Sequence, residues 1–552
     1  MKIGLLAEKR GMDSLKHVFG GLERTLGQRH EVVYQPLEYF WDSSTSQGHL
    51  AEEFIESCDL LVGRIDESIL KTRERIGGHP PLVGFLMGNM SRGAMELAAL
   101  SGNLKSTDML VGNCTADLEI ARKFFTNVQM RKTPFGVDES VFYPADETER
   151  RKIKTELGFN QDDRVLLYAG RITIEKNLHT LLRIFSILQD LIPNLHLVVA
   201  GEMGNVPFAA MGVYSVSLAA TMMKLIRELD LSTESIHFVG RKSTAQLRNL
   251  YAISDVLVNM TLHHDENFGY SQVEAMACGT PVVGTKWGGL KDTILHGETG
   301  YHVSTVMTGS GVKANWWEAT NRIVSLLEDE ELLKRFREQS RVHAVENFSN
   351  NRYTEFLESI VNECANNGAG KREPIGITDF ATRFWRTCML SEWDGPPFQR
   401  GAESFELYKE LISPFTGVTE SSVPTEADFD AEQLLIIAVP VQILGAKITP
   451  DDPLFPVDIV VPEGNRQTCE AILEIMRKEP AISFGRLEKL IPESARHCLR
   501  CSLQWMLGMG LLLRTNPIDG SVDPENIGTQ MSKPLFSIQR IDYLNTDVIA
   551  FK

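Results

Sequence analysis

The residues of this 552-residue chain that are best suited to chemistry fall into two short clusters. In the longer one, Glu266 precedes a predicted helix, Glu274 lies more than one turn inside it, and Gly279 closes it. The backbone amides at a helix N-terminus bind phosphate well. The residues that would present these amides are Phe268, Gly269, Tyr270 and Ser271.

The two glutamates of this cluster differ in position. Glu274 can reach a ribose hydroxyl pair beside the phosphate seat, and Glu266, on the preceding loop, can accept hydrogen bonds from sugar hydroxyls. Taken singly, each is equally well explained as a solvated acid. Together with the glycine, the helix and the following strand, they favour a nucleotide-sugar site.

The second cluster, Gly170, Arg171 and Lys176, directly follows a predicted strand that ends at Ala169. Two fixed cations there would suit a diphosphate, because a departing nucleoside diphosphate develops negative charge that preorganised cations stabilise. A surface Arg and Lys without a role is the alternative interpretation. Gly240, which ends a neighbouring predicted strand, would allow a nucleotide to approach the backbone.

These clusters lie within two successive units in which strands alternate with helices, as in a doubly wound parallel sheet. The predicted strands of the first unit are 2–7, 31–34, 60–62, 82–86 and 109–111; those of the second are 164–170, 195–200, 235–239, 256–259 and 281–284. A long helical region over 316–364 closes the second unit. Sequence thus predicts two Rossmann-like α/β domains facing a cleft, over 1–145 and 146–364.

The composition changes after residue 365, and we assign 365–552 to a mostly helical C-terminal accessory module, winged-helix-like around 465–515. Its acidic cluster and its lack of a basic recognition helix speak against nucleic acid as a partner. The cluster consists of Glu426, Asp428, Asp430 and Glu432. A peptide or protein acceptor, homo-oligomer formation or a structural role remain open. We expect a chain ending near Gly370 to retain donor binding.

Bulk properties narrow the class of protein. The formal net charge of −17 argues against a polyanionic partner. No apolar run approaches the roughly 20 residues that a transmembrane helix needs, and the N-terminal run suits a buried strand better than a signal peptide. We therefore expect a cytoplasmic protein. Cys498 and Cys501 form a lone CxxC without a second ligand pair, so no metal site is predicted.

The run from Ala169 to His302 resembles glycosyltransferase family 4, a retaining family with the GT-B fold. The similarity rests on Gly170-Arg171 followed by Lys176, and on the two glutamates at 266 and 274. It extends through Ala275-Met276-Ala277-Cys278-Gly279-Thr280-Pro281 and Trp287-Gly288-Gly289. It does not continue past Cys364.

This resemblance implies a retaining hexosyltransferase-type enzyme of class EC 2.4 with a nucleotide-diphosphate-sugar donor. Arg171 and Lys176 would hold the diphosphate, Glu274 the ribose, and Glu266 the sugar; the remaining donor-binding residues would be Gly170, Gly240, Arg241, Phe268, Gly269, Tyr270 and Ser271. The first domain would bind the acceptor. Neither a cofactor nor an essential metal is expected, because the protein's own cations neutralise the leaving group.

The N-terminal half departs from the family pattern. Lys9-Arg10-Gly11-Met12 occupies the loop that often carries a glycine pair, and Met87-Gly88-Asn89 replaces a frequent histidine. We take Gly11, Asn89 and Arg92 as acceptor-side candidates. The nucleotide base, the sugar and the acceptor (a sugar, small molecule, lipid-linked group or peptide) stay open. The rival interpretations are a phosphorylase or synthase on the same scaffold and a non-catalytic scaffold protein.

Overall fold

The computed structural model describes residues 1–6, 13–34, 46–65, 67–77, 79–86, 101–203, 218–263, 266–367, 373–389, 402–416, 429–444, 446–450, 459–515, 522–524, 527 and 530–533. Its first sheet has six parallel strands in the order β2-β1-β3-β4-β5-β7. The strands of this part of the chain are β1 (Lys2–Leu6), β2 (Glu31–Tyr34), β3 (Leu60–Arg64), β4 (Leu82–Leu86), β5 (Met109–Gly112), β6 (Phe125–Thr126) and β7 (Gln129–Lys132). The helices are α1 (Asp13–Leu26), α2 (Ser46–Glu56), α3 (Glu67–Arg75) and α4 (Thr115–Phe124). The predicted parallel α/β unit is confirmed.

The second sheet is also parallel, with the order β10-β9-β8-β11-β12-β13. Its strands are β8 (Arg164–Ala169), β9 (Leu195–Ala200), β10 (Ile236–Gly240), β11 (Val256–Asn259), β12 (Val282–Thr285) and β13 (Gly300–Val303). Its helices are α5 (Glu147–Glu156), α6 (Leu178–Leu191), α7 (Leu218–Glu228), α8 (Thr244–Ile253), α9 (Tyr270–Ala277) and α10 (Leu290–Thr293). The strand order reverses between β8 and β11. Ligands of doubly wound sheets bind beyond the carboxyl ends of the strands at such a reversal.

Strand β8 shows why this sheet needs helices on both faces. Leu166 and Tyr168 belong to one buried cluster, whereas Val165 and Leu167 belong to another. An apolar run buried on both faces is typical of a parallel sheet between two helical layers. The loop that follows β8 therefore starts from a rigid, fully packed support.

Three helices follow the second sheet after a short hairpin. The hairpin is β14 (Thr305–Thr308) with β15 (Gly311–Ala314), and the helices are α11 (Trp316–Glu328), α12 (Glu330–Phe348) and α13 (Asn350–Asn367). The predicted helical region is interrupted at Asp329, whose side chain accepts a hydrogen bond from the Leu332 amide at 2.9 Å and caps α12. Helix α13 returns to the N-terminal lobe, where Glu358 pairs with His30 at 3.1 Å.

The segment from Glu373 to Thr416 continues on the N-terminal lobe. It contains β16 (Gly376–Ile377), α14 (Asp379–Met389) and α15 (Ala402–Thr416). Strand β16 pairs with β6, and α14 packs against α4, with the rings of Phe380 and Phe124 5.6 Å apart. This part of the predicted accessory module is therefore packed on the first domain, while the domain boundaries as such stay a prediction.

The remaining segment contains a small α/β unit with the predicted winged-helix-like order. Its strands are β17 (Leu434–Ile437), β18 (Val441–Leu444), β19 (Lys447–Pro450), β20 (Ile459–Val460), β21 (Ala481–Ser483) and β22 (Leu512–Thr515); its helices are α16 (Arg466–Met476), α17 (Phe484–Leu490) and α18 (Leu499–Gly508). Helix α17 begins at Phe484, because the preceding residues Ala481–Ser483 pair with β17 as a strand. Of the acidic cluster, Glu426 and Asp428 lie outside the described residues.

The unit of 429–515 shares a hydrophobic core with the second domain. On β17, Leu435 and Ile437 face the unit's own helices, whereas Leu434 and Ile436 join the core cluster of α6 and α11. A hydrogen bond reinforces this contact: the Trp316 indole donates to the Ile437 carbonyl at 2.7 Å. Successive side chains of β17 point to opposite faces of the strand. One face is therefore buried against the unit's own helices and the other against the second domain.

Candidate functional site

The loop after β8 is fixed in a tight turn. Ile174–Lys176 form one 3-10 turn that ends at Asn177, whose φ is 58°, in the left-handed region that asparagine tolerates. The Asn177 side-chain amide donates to the Met260 carbonyl at 3.0 Å. Lys176 therefore projects from a backbone that is anchored to the end of β11.

A second set of hydrogen bonds joins the loops after β8 and β11. The carbonyl of Glu175 accepts from the Leu262 amide at 2.9 Å and from the Thr261 hydroxyl at 3.2 Å. These loops flank the reversal of strand order. Two predicted clusters about 90 residues apart in sequence are thus brought together at the place where the fold binds ligands.

Lys176 and Glu266 form an ion pair at this edge. The Lys176 ammonium donates to the Glu266 carboxylate, and the two side chains are only 20% and 13% exposed. A partly buried pair interacts more strongly than a solvated one, because water screens it less.

Arg171, on the same loop, is exposed, and its carbonyl accepts from the Tyr168 hydroxyl at 2.5 Å. Burial, with the carboxylates of Glu175 and Glu266 nearby, raises the pKa of Tyr168.

The loop that carries Glu266 rests on two glycines. The Gly289 amide donates to the Glu266 carbonyl at 2.7 Å. A Cβ atom at Gly288 would collide with that carbonyl, and one at Gly289 with the backbone of Asn267. The Trp287 indole, fully buried, donates to the His263 carbonyl at 2.8 Å. The close backbone approach requires glycine at both positions.

The N-terminus of α9 follows directly. Gly269 precedes the helix with φ of 86°, a conformation that side-chain-bearing residues rarely adopt. The buried Phe268 and the half-buried Tyr270 pack against Phe135 of the segment between the lobes, with ring centroids 5.6 Å and 5.4 Å away. Ser271 is half-buried in the first turn. Aromatic packing thus fixes the helix start against the segment that joins the lobes.

Glu274 lies one turn further along α9. Its carboxylate accepts from the Tyr251 hydroxyl at 2.9 Å. Burial raises the pKa of Glu274 to about 7, and the Tyr251 hydrogen bond opposes that rise. The Tyr251 hydrogen bond thus orients the Glu274 carboxylate, whose other oxygen can accept further hydrogen bonds.

The comparisons with known proteins agree with this architecture. Residues 149–343 match the family model described as Glycosyl transferases group 1. The structure superposes on a glycosyltransferase from Rickettsia africae with a TM-score of 0.53 at 17% identity, covering 66% of this chain and 99% of that one. A sucrose-phosphate synthase from Thermosynechococcus elongatus gives 0.50 at 17% identity, covering 66% and 98%. The fold is GT-B.

Curated relatives align with part of this GT-B chain. A lipopolysaccharide 1,2-N-acetylglucosaminetransferase from Salmonella typhimurium is 32% identical over 160 residues, 29% of this chain and 40% of that protein. An N-acetyl-alpha-D-glucosaminyl L-malate synthase from Bacillus anthracis is 28% identical over 225 residues, 41% of this chain and 51% of that protein. The chain spans about two fifths to one half of these relatives. The chain is thus similar to group 1 glycosyltransferases over residues 149–343 and has the GT-B fold.

The GT-B structure places the remaining predicted donor residues at the same sheet edge. Gly170 directly follows β8 and Gly240 ends β10, on either side of β9, and the Gly201 amide after β9 donates to the Gly240 carbonyl at 3.1 Å. Arg241 is exposed beside Gly240. The acceptor-side candidates Gly11, Asn89 and Arg92 lie outside the described residues.

The sequence analysis did not identify two residues that contact the candidate site from other elements. Tyr251 comes from α8 and carries no motif, so only tertiary packing pairs it with Glu274. Asn113, at the end of β5 in the first lobe, accepts from the Asn267 side chain at 3.4 Å and donates to the Thr133 carbonyl at 2.9 Å. Its position after a parallel strand was the available signal. Asn113 brings the first lobe into contact with the Glu266 loop.

Metal-binding clusters and bilayer-spanning helices are both absent from the parts of the GT-B chain that the structure describes. No group of three or more His, Cys, Asp or Glu side chains is arranged to hold a metal ion there. In the same residues, no helix combines the length and apolar character needed to span a bilayer.

Proposed function

We propose that this GT-B protein is a retaining glycosyltransferase that moves a sugar from a nucleotide-diphosphate sugar to an acceptor. The single observation that carries the proposal is the Lys176–Glu266 pair at the reversal of strand order, between the loop of Arg171 and the N-terminus of α9. Cations, backbone amides and carboxylates, which suit the diphosphate, the sugar and the ribose of such a donor, lie in the loops and the helix start at this edge of the sheet.

Each part of the donor has a proposed partner. Arg171 and Lys176 neutralise the diphosphate, and the backbone from Phe268 to Ser271 receives a phosphate. Glu266 accepts from sugar hydroxyls, and Glu274 from the ribose. The acceptor oxygen attacks the anomeric carbon on the face from which the diphosphate departs, so that the C–O bond to phosphate breaks as the new glycosidic bond forms. The acceptor proton passes to the departing phosphate oxygen, and neither a protein base nor a metal is required.

Glu266 and Glu274 are proposed as donor ligands and not as a hydrolytic acid pair. Hydrolysis by paired carboxylates requires that both groups flank the bond that breaks. Here Glu266 is paired with Lys176, and Glu274 accepts a hydrogen bond from Tyr251. These partners favour binding roles for both groups.

The test is a screen of nucleoside diphosphates and their sugars for thermal stabilisation and for donor hydrolysis. A nucleotide at 100 times its dissociation constant should stabilise the folded state by about 2.7 kcal/mol, because it binds only that state. Retention is then read from the anomeric configuration of the product by NMR. Stabilisation by sugar phosphates alone, with release of inorganic phosphate, would favour the phosphorylase alternative; binding without turnover would favour the scaffold alternative.

The Glu274→Gln variant should bind the nucleotide more weakly while it still folds. The substitution weakens the contact with the ribose by roughly 1.5–3 kcal/mol, the range for a hydrogen bond to a charged group, and calorimetry with the nucleoside diphosphate measures it. Tyr251→Phe is the matched control, because it removes only the hydroxyl that orients the carboxylate. Unchanged nucleotide affinity in Glu274→Gln would contradict the ribose assignment.

The same Glu274→Gln variant should be more stable than the wild type above pH 7. Because the folded-state pKa of Glu274 is raised to about 7, its ionisation costs the native state stability as pH rises from the unfolded value near 4.5. The difference in Tm between the ligand-free proteins should therefore vanish near pH 4.5 and reach its full size above pH 7. A difference in Tm that does not change with pH would show that the carboxyl is not buried as described.

A further inference from the structure

Helix α15 connects the N-terminal lobe to the loop that carries Glu266. It packs against α4 of the first lobe and against β14 of the second domain. Its inward face consists of Leu407, Leu411, Ile412 and Phe415, all buried in the core cluster that both lobes share. The helix ends at Thr416, close to the glycine pair after β12.

The last turn of α15 makes three contacts with this glycine-containing segment. The Phe415 carbonyl accepts from the Gly288 amide at 2.9 Å. The Phe415 ring lies against the Trp287 indole, with centroids 5.1 Å apart. The Lys291 ammonium donates to the Pro414 carbonyl. Two hydrogen bonds and one ring contact thus attach the end of α15 to the short segment Trp287–Lys291.

That segment in turn holds the Glu266 loop. The Gly289 amide donates to the Glu266 carbonyl, and the Trp287 indole donates to the His263 carbonyl. Both interactions lie within one residue of the contacts of Phe415. Only the segment Trp287–Gly289 lies between Phe415 and Glu266, so a displacement of the Phe415 ring should also displace Glu266.

From these contacts we infer that Phe415 is a positioning residue, which sets Glu266 against the donor sugar and couples it to the N-terminal lobe through α15. The inference rests on the proposed function for the role of Glu266. The nucleotide contacts proposed for Arg171 and Glu274 do not pass through Phe415. Its loss should therefore affect the sugar end of the donor and leave the nucleotide end intact.

The experiment compares Phe415→Ala with Leu407→Ala in the full-length chain. Leu407 lies two turns earlier on the same helix and is similarly buried, but it is not among the residues that hold Trp287–Gly289. We expect Phe415→Ala to lower kcat on the order of tenfold or more beyond Leu407→Ala, as a small misplacement of a catalytic group does. Affinity for the nucleoside diphosphate should be the same in both variants.

Hydrogen exchange tests the support of the Glu266 loop independently of turnover, and a second variant tests the same contacts. Hydrogen exchange of the amides at 266–268 and 287–290 should be faster in Phe415→Ala than in Leu407→Ala. This measurement is made on the ligand-free proteins and needs no donor. Should Phe415→Ala not fold, Trp287→Phe, which loses the bond to the His263 carbonyl, should give the same kinetic pattern.

The two proposals fail in different ways. Equal exchange and equal turnover in Phe415→Ala and Leu407→Ala would overturn the positioning role even if the wild type transfers sugar. Absence of nucleotide binding in the wild type would overturn the proposed function, while exchange would still test whether Phe415 holds the Glu266 loop.

Discussion

Lys176→Ala and Arg171→Ala should each reduce sugar transfer by on the order of a hundredfold or more, and both variants should still fold. The physical reason is that the diphosphate gains negative charge as it leaves, and a preorganised cation stabilises that charge. Steady-state kinetics with the donor found in the nucleotide screen measures the effect. Lys334→Ala, which removes an exposed lysine on α12, is the matched control and should transfer sugar normally.

The double variant Lys176→Ala/Glu266→Ala sharpens this result. Lys176 and Glu266 contact each other, so the two substitutions should not be additive. The single Lys176→Ala variant also leaves the Glu266 carboxylate partly buried without its cation, which adds a cost that the double variant avoids. Near-normal turnover in both Lys176→Ala and Arg171→Ala would refute the diphosphate assignment.

A chain that ends at Gly370 should lose both its soluble fold and its donor binding. This reverses the expectation from sequence, which treats everything after residue 365 as separable. The truncation removes Leu434, Ile436 and Leu513 from the core that they share with α6 and α11, and removes Phe415 from Trp287. Burying one large apolar side chain contributes about 1.5–3 kcal/mol, and domains are stable by only about 5–15 kcal/mol.

Yield of soluble protein, Tm and nucleotide binding test this prediction. A chain ending at Lys533 is the control, since the contacts named above all lie before that residue; it should bind the nucleotide like the full-length protein. A truncation at Gly370 that is soluble, melts cooperatively and binds nucleotide with full affinity would restore the independent-module hypothesis.

The chain's local signals predict five of the six strands in each parallel sheet, but not the edge strands β7 and β13. Strands such as Leu82–Leu86 and Val256–Asn259 begin and end where the apolar runs do, because a strand buried on both faces must be apolar throughout. The donor-side residues can likewise be recognised, since a cation loop after one strand and a helix N-terminus after another are local features.

Local signals mislead where a segment's role depends on a distant partner. The apolar character of Ala481–Ser483 suits either a helix or a strand, and only the pairing with β17 makes these residues a strand. The composition of residues 373–416 groups them with the accessory module, yet β6 and α4 decide where they pack.

Sequence by itself determined the two parallel α/β domains, the elements that carry the site, and the residue types at Lys176, Glu266 and Glu274. These depend on periodicity and on turns, which act over a few residues. Tertiary structure alone decided that Lys176 meets Glu266, that Tyr251 holds Glu274, and that Phe415 supports the loop from the far end of α15. Such contacts join residues 23 to 128 positions apart, and their pairing is fixed by strand order and shared cores, which no local pattern encodes.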